Sequence, residues 1–561
     1  MNRLEQWWIL LRKNGILSIA LDHFLAMFPA SVLVPVLINT HYGQTVIDIP
    51  MVLIANAVGT MLFLIITKGK LPIYLGSSFA FIGLTNYILA NYIDKGHGYQ
   101  EAYSYVLWAY IFASVIMLAL SLVYKFNISR KIMKFLFPTV IMGPVISLIG
   151  LELASIGASD SGFNEIAGII DMKISLIALF TLFVIILASV IRRSFLKNSS
   201  IVIGVIIGYI LSVYFLKLDL SPIKKIPIIQ FPKISSPWVG IPPNLFQLFI
   251  AVLPATIVIF MENISRITVV KRLKLSNDEN EQPTEIFNDE NNKDFNVSLL
   301  GHAASIFLSA NTGSVPTTIY AENIAVMSIN NNDATTKHKS FNPFSFLPYV
   351  FAAVLSIFVS FLGWLQYILM NIPKPVIGGV ELFLFGIITA PGIQMLVEQK
   401  VNYKKVSNQI LTAAVLVAGV GGFSINLGLI EIKGMSLGLI IGVLLNIMFK
   451  ILAYFGALNE QLSYDEVVKL CKEKIENKDR FVITDKTAEF SNSSNEVVII
   501  VERGQTNIYL NLNISQEKNE KWCMIYDDII DIADNSPFIK LSIVSKMPIR
   551  HITAMIDDAI G

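Results

Sequence analysis

"NTGSVPTTIYAEN", residues 311–323, interrupts an apolar run with Gly313, Ser314 and Pro316 and then resumes it with a carboxylate and an amide, Glu322 and Asn323. In a bilayer no water satisfies the backbone. Non-helical chain at membrane depth is therefore tolerated only where it is buried in protein or lines a cavity. A second interruption, "YLGSSFAF" at 74–81, stands in the first half of the chain. Both breaks carry meaning only if their surroundings lie in a membrane, and the composition says that they do. Of 561 residues, 54% are hydrophobic and only 15% charged, with a mean hydropathy of +0.62. Ordinary soluble domains carry roughly a quarter charged residues. Apolar runs of spanning length recur from residue 16 to residue 453, "MSLGLIIGVLLNIMFKILAYF" (435–455) being one.

Basic residues fall in alternate gaps between these runs. Lys68 and Lys70, Lys125 to Lys134, Arg192 to Lys197, Lys271 to Lys274 and Lys400 to Lys405 mark one side, while "NTHYGQTVIDIP" and "ASIGASDSGFNE" carry no Lys or Arg. The positive-inside rule puts the basic gaps and both termini in the cytoplasm and accommodates roughly fourteen spans. The gap "KLDLSPIKKIPIIQFPKISSPWVG" bears lysines yet falls outside; it is long, and long loops obey the rule poorly. A faint repeat aligns "FPTVIMGPVISL" (137–148) with "IPKPVIGGVELF" (372–383), matching Pro138 with Pro373, Gly143 with Gly378 and Val145 with Val380. Halves with an odd number of spans insert in opposite orientations, and inverted repeats with short broken helices mark secondary transporters.

The expected fold is thus an all-α polytopic membrane protein of about 14 segments in two inverted repeats. Residues 1–15, with Trp7 and Trp8 near Arg12 and Lys13, read as an interfacial helix without a signal-peptide cleavage pattern. The first repeat spans 16–236 and the second 237–455, the latter with an acidic cytoplasmic loop at 275–294. From 460 to 561 the composition turns soluble. There "EVVIIV", "TNIYLNLNI" and "FIKLSIV" read as strands, and "SYDEVVKLCKEKI" and "ITAMIDDAIG" as helices, giving a small α+β cytoplasmic domain.

The chemistry sits in two Glu-Asn pairs, Glu262-Asn263 in "VIFMENISRI" and Glu322-Asn323. A carboxylate at mid-bilayer costs about 2.5 kcal/mol or more, so those retained commonly face a cavity. Each either binds a ligand or carries a proton, or else satisfies a neighbouring helix. Two carboxyls beside broken backbone suit a small, planar, uncharged ligand with alternating donors and acceptors. His23, next to Asp22, reads equally as a partnered interior histidine or as a functional group. Arg266 stands one turn beyond Glu262 and either pairs with it or begins the basic loop. Glu152 and Glu381 read as residues of the second bundle or an interface, or else as having a direct role. The net charge of +2 gives no argument for nucleic acid, and the only cysteines, Cys471 and Cys523, exclude a disulfide framework. No metal-ligand spacing, nucleophile–base pair or phosphate loop is present, so an enzyme is not expected and no cofactor is implied.

At these residues the sequence resembles the nucleobase/ascorbate transporter family, most closely its bacterial uracil permeases. The stretches that carry it are "HFLAMFPASVLVPVL", "KGKLPIYLGSSFAFI", "LIGLELA", "TTIYAENIAVM", "GGVELFLFGIITAPGIQMLVEQKVNY" and "IKGMSLGLIIG", in order, over residues 15 to 455. The resemblance implies a core and a gate domain, alternating access, and uptake of uracil or a related base with a proton as coupling ion. It implies that Glu262 and Glu322 hold the base, that backbone at Phe79 and Ala321 adds hydrogen bonds, and that Ala30 lies beside the site. Proton coupling would then involve Glu262, Glu322, His23 and position 266. That position is a histidine in the family permease; Arg266 cannot shuttle protons but could hold Glu262 ionised. Ala321 and Ala325 replace glycines of the family signature, Asn330 and Asn331 stand where it has Thr-Arg or similar, and the C-terminal domain lies outside its usual pattern. The implied partners are a small-molecule nucleobase and the lipid bilayer, at the plasma membrane, with a homodimer left open. Alternatives are a xanthine or purine permease of the same scaffold, a sulfate-permease-like anion transporter, or a base-sensing membrane receptor.

Overall fold

The computed structural model describes residues 16–124, 127–163, 172–191, 196–197, 199–218, 226–275, 293–332, 346–426 and 431–455, together with the strands found between 481 and 542. The expected N-terminal helix, the acidic loop from 276 to 292 and the two C-terminal helices lie outside the described residues.

The chain opens with α1 (Ile16–Tyr42) and α2 (Ile49–Ile66). Asn39 folds the connection between them: its amide donates to Ile47 O (2.8 Å) and its Oδ1 accepts the N–H groups of Val46 and Ile47 (both 2.9 Å). Asp48 caps α2 by accepting Met51 N–H at 3.1 Å, with Pro50 in the first turn, where a missing N–H costs nothing. Then come β1 (Leu75–Ser77), a 3₁₀ turn (Phe79–Phe81), α3 (Ile82–Ile93), α4 (Tyr99–Tyr124), α5 (Asn127–Leu136), α6 (Thr139–Asp160), α7 (Met172–Val190) and α8 (Ser200–Leu216). The second half holds α9 (Leu245–Leu275), α10 (Lys293–Thr312), β2 (Thr317–Ile319), α11 (Ala321–Asn332), α12 (Leu347–Ser360), α13 (Gly363–Met370), α14 (Lys374–Glu398), α15 (Val406–Val420), β3 (Ser424–Asn426), β4 (Glu431–Lys433) and α16 (Gly434–Tyr454).

The two interrupted stretches find each other. β1 and β2 pair antiparallel with Leu75 opposite Ile319, Gly76 opposite Thr318 and Ser77 opposite Thr317. A two-stranded ribbon buried among helices leaves outward N–H and C=O groups that water cannot reach, so side chains must take them. Thr60 of α2 accepts Leu75 N–H (3.0 Å) and donates to Leu75 O (3.2 Å). Tyr320 donates to Ser77 O at 3.1 Å, and Ser77 in turn donates to Ser31 O in α1 at 2.9 Å. Gly76 is required by close approach, because a Cβ there would fall on the Tyr320 ring.

Around this ribbon α10 packs on α2 and α4, and α12 on α1 and α2, while α6 packs on α14 with α7 and α8 alongside. The α6–α14 crossing is tight because small residues face it: a Cβ on Gly150 would meet Phe385 O and Thr389, and one on Gly392 would meet Gly143 O. The repeat-matched prolines hold equivalent places, Pro138 as N-cap of α6 and Pro373 as N-cap of α14. Among the described residues, eight helices are long and apolar enough to cross a membrane. On α7 and α8, Phe180, Phe183, Ile210 and Tyr214 stand exposed, which suits lipid rather than water. This is a multi-pass membrane protein.

By contacts the chain divides into two compact units, Met1–Val401 with Ala414–Ile441, and Asn402–Ala413 with Gly442–Gly561. The second contains a six-stranded antiparallel sheet, ordered β5-β6-β7-β8-β10-β9. Its strands are β5 (Phe481–Ile483), β6 (Thr487–Ser491), β7 (Val497–Glu502), β8 (Asn507–Asn511), β9 (Ile530–Ile532) and β10 (Phe538–Ser542). The three stretches read as strands are β7, β8 and β10; β5 and β9 have only three residues each and β6 is the mixed stretch TAEFS, so none of these three announces itself.

Candidate functional site

A cavity of about 450 Å³ opens where the ribbon and the starts of two helices meet α9. One wall is polar: Glu262 and Arg266 of α9, Thr318 of β2, Glu322 of α11. The opposite wall is apolar, with Ile149 of α6 and Ile387, Ile388 and Pro391 of α14. An apolar cleft with a few convergent polar groups is the usual form of a small-molecule site.

Two of these polar groups, Thr318 and Arg266, hold a third, Glu262. Thr318 donates its hydroxyl to Glu262 Oε2 at 2.9 Å, and Arg266 Nη2 lies 3.3 Å from Glu262 Oε1. Arg266 is therefore the partner of Glu262, one of the two roles the spacing allows. It also lies within electrostatic reach of Glu322. Glu322 is the second residue of α11, where a negative charge complements the helix dipole. Phe79 and Ala321 line the same cavity as the first residues of the 3₁₀ turn and of α11. First-turn N–H groups have no acceptor within their own helix, so both starts offer donors to a ligand.

The asparagine of each pair turns away, since neighbours on a helix point about 100° apart. Asn323 donates to Nδ1 of His23 (3.1 Å) and to His23 O (3.0 Å), fastening α11 to α1. His23 is fully buried, its ring 4.2 Å from that of Tyr349, and it stands behind the cavity wall. Asn263 is matched in kind: its Nδ2 lies 3.0 Å from Nδ1 of His302, and its Oδ1 accepts Ser298 Oγ at 3.1 Å. His302 Nε2 is 2.6 Å from Thr317 O. Nε2–H donates to that carbonyl, and Nδ1, which accepts the Asn263 amide N–H, carries no proton, so the ring is neutral. A neutral imidazole thus ties α9 to β2, and β2 positions Thr318 on Glu262.

The structure brings Glu262, Glu322, Phe79, Ala321 and Arg266 to one cavity. Ala30 does not reach its wall; it is buried in α1 next to Ser31, whose hydroxyl donates to Tyr320 OH at 3.3 Å behind the ribbon. Glu152 accepts Met435 N–H at 3.0 Å at the start of α16, and Glu381 is buried in the α6–α14 contact. Sequence reasoning passed over Thr318 and His302. The second had a signal, a lone histidine in the apolar run "SLLGHAASIF"; a threonine two residues past a proline in a broken stretch has none.

Comparison with known proteins follows the same residues. The profile of a family described as "Permease family" (Xan_ur_permease) matches residues 14–428, so the six-stranded sheet lies outside it. The uracil permease of Escherichia coli K12 is 35% identical over 441 residues, covering 78% of this chain and 92% of its own. That of Paenibacillus larvae is 31% identical over 443 residues, 78% of this chain and 94% of its own. Among solved structures, one described as the overall structure of SLC26A9 superposes with a TM-score of 0.52 at 12% identity, over 78% of this chain and 65% of that one. Murine Slc26a9, an anion transporter in the inward-facing state, gives 0.50 at 12% identity over 78% and 68% of the two chains. At such identity the likeness shows a shared fold and nothing of the ligand. The profile covers most of the chain and the relatives exceed 30% identity: the protein belongs to this permease family, the nucleobase/ascorbate transporters, and is a membrane transporter rather than an enzyme.

Proposed function

We propose that this chain imports uracil or a related nucleobase across the plasma membrane by proton symport with alternating access. The observation that carries the reading is the convergence of two carboxylates, Glu262 and Glu322, and two helix starts on one small, half-apolar cavity. A pyrimidine ring carries N–H donors and C=O acceptors around its edge and two apolar faces. Its N–H groups would donate to Glu262 and Glu322, and its carbonyls would accept backbone N–H at Phe79 and Ala321. The aliphatic wall of α6 and α14 would cover a ring face. Two carboxylates in the wall disfavour an anion, which helix N-termini alone would attract.

Arg266 has no proton to give at ordinary pH, so it keeps Glu262 an acceptor while Glu322 takes the coupled proton. His302 and His23 serve as neutral fasteners that keep the two acidic residues aimed at the ligand. The helix count supports fourteen segments: eight long apolar helices, four shorter ones including α8 and α12, and α10 and α11. In the inverted-repeat plan, residues 16–236 and 237–455 form the two halves. The group built on α6 and α14 moves against the group that holds Glu262 and Glu322. Both termini then face the cytoplasm, where residues 460–561 form a separate domain.

The test is uptake of radiolabelled uracil into proteoliposomes under an inward proton gradient. Accumulation is expected with the wild type, and Glu262→Gln and Glu322→Gln should each abolish it while leaving the protein folded. Normal accumulation by both variants would remove the carboxylates from the site and the reading with them.

A further inference from the structure

Glu381 lies on α14 about two turns before Ile387 and Pro391, outside the base cavity. It is fully buried, and neither carboxyl oxygen has a hydrogen-bond partner among the described residues. Its place against α6 is built rather than incidental. Gly157 leaves room for it, since a Cβ there would stand 3.1 Å from Glu381 Cβ, and Gly378 on the same face of α14 abuts Ser161. The Ser161 hydroxyl, also buried, has no partner either among the described residues.

The charge that acts on Glu381 is Asp160 at the end of α6, of the same sign. Lys374 of α14 and His41 of α1 act in turn on Asp160. The other titratable groups on the packed elements are Glu152 of α6, which accepts Met435 N–H, Lys173 in the first turn of α7, Tyr209 and the exposed Tyr214 of α8, and Glu398, which Gln394 contacts at the far end of α14. No cation among these acts directly on Glu381. An ionised carboxylate buried without cation or donor is prohibitively costly, and proteins avoid that cost by neutralising the group.

We propose that Glu381 is a second proton-binding site, outside the base cavity and occupied in this conformation, with Asp160 as the group through which it exchanges with the exterior. Proton release leaves a carboxylate that the closed α6–α14 contact does not accommodate, so release belongs with a movement of α14 away from α6. The same helix carries the apolar wall over the ligand. A proton on Glu381 therefore favours the arrangement in which that wall is in place. This consequence for transport rests on the proton-symport reading; the protonation itself does not.

Infrared spectroscopy of the purified full chain in lipid reads a protonated carboxyl directly as an acid C=O stretch, assigned by its shift in D₂O. In the wild type without ligand an acid band is expected at neutral pH, and Glu381→Gln should remove the Glu381 component of it. The glutamine, an isostere of the protonated acid, should keep uracil binding and uracil counterflow exchange but lose about tenfold of the accumulation driven by one pH unit. A merely structural residue would lower exchange and accumulation together. If the glutamine variant does not fold, Glu381→Ser is read in the same way. An acid band unchanged in the variant overturns the proposal, and so does stabilisation of the wild type by Na⁺ that the variant lacks, which would mean a cation site. A wild type that shows the band but does not transport uracil would remove the symport reading and leave the proton site standing.

Discussion

Thr318→Val tests the geometry of the acceptor without touching the carboxylates. The hydroxyl of Thr318 reaches Glu262 Oε2 at 2.9 Å, whereas Arg266 holds Oε1 only at 3.3 Å. Valine keeps the shape of the side chain and removes the shorter of the two bonds. A hydrogen bond to a charged group contributes about 1.5–3 kcal/mol. Part of that is recovered here, because water enters the cavity and can bond the freed oxygen. The carboxylate would then swing toward Arg266, and ligand binding would have to turn it back. At the lower end of the range the dissociation constant for uracil should rise about tenfold. Thr318→Ser, which keeps the hydroxyl, should stay near the wild type. Calorimetric titration of the purified protein with uracil measures all three, and thermal unfolding without ligand controls for folding. A valine variant that binds like the wild type, beside a Glu262→Gln variant that does not bind, would refute the claim that Thr318 aims the acceptor.

Two further outcomes probe other parts of the assembly. Arg266→His replaces a permanent charge by one that titrates near neutrality, so uptake should acquire a steeper dependence on pH between about 6 and 8; an unchanged profile would show that Arg266 does not govern Glu262. Gly76→Ala forces a methyl onto the Tyr320 ring and disturbs the bond from Tyr320 to Ser77 O (3.1 Å), so it should destabilise the protein by about 1–3 kcal/mol, seen as a lower melting temperature and weaker binding. An alanine variant as stable as the wild type would mean that the ribbon tolerates displacement.

The membrane character and the two broken stretches were legible because each rests on a rule that admits few exceptions: long apolar runs span, and irregular backbone at depth must be buried. Glu262 and Glu322 were legible for the same reason, being charges where charge is costly. The pairing of β1 with β2 was not. It joins residues 75–77 to 317–319, and three-residue strands have no periodicity to detect. Thr318 is invisible for a related cause, since its role exists only once that register puts it opposite Gly76 and beside Glu262. Ala30, which the resemblance places beside the site, is buried in α1 next to Ser31, whose hydroxyl joins α1 to Tyr320 behind the ribbon.

The Glu-Asn pairs carry the argument from sequence to mechanism. A lone acidic residue on a membrane helix can rotate with its helix; a pair cannot if its second member is fastened. Asn263 is locked by His302 and Ser298, and Asn323 by the ring and the carbonyl of His23. Because successive side chains diverge by about 100°, fixing the asparagine fixes the direction in which the preceding glutamate leaves the helix. Both histidines do this as neutral rings, since each Nδ1 accepts the amide N–H of its asparagine and so carries no proton. Fastening by neutral groups adds no charge that would compete for the carboxylates, and so leaves Arg266 as the one cation of the cavity wall among the described residues. The two glutamates differ by position: Glu262 is held by Arg266 and Thr318, while Glu322, at the start of α11, has no side-chain donor of that kind among the described residues. Under the proposed symport, that asymmetry keeps a base and a proton arriving at the same cavity from competing for the same oxygen.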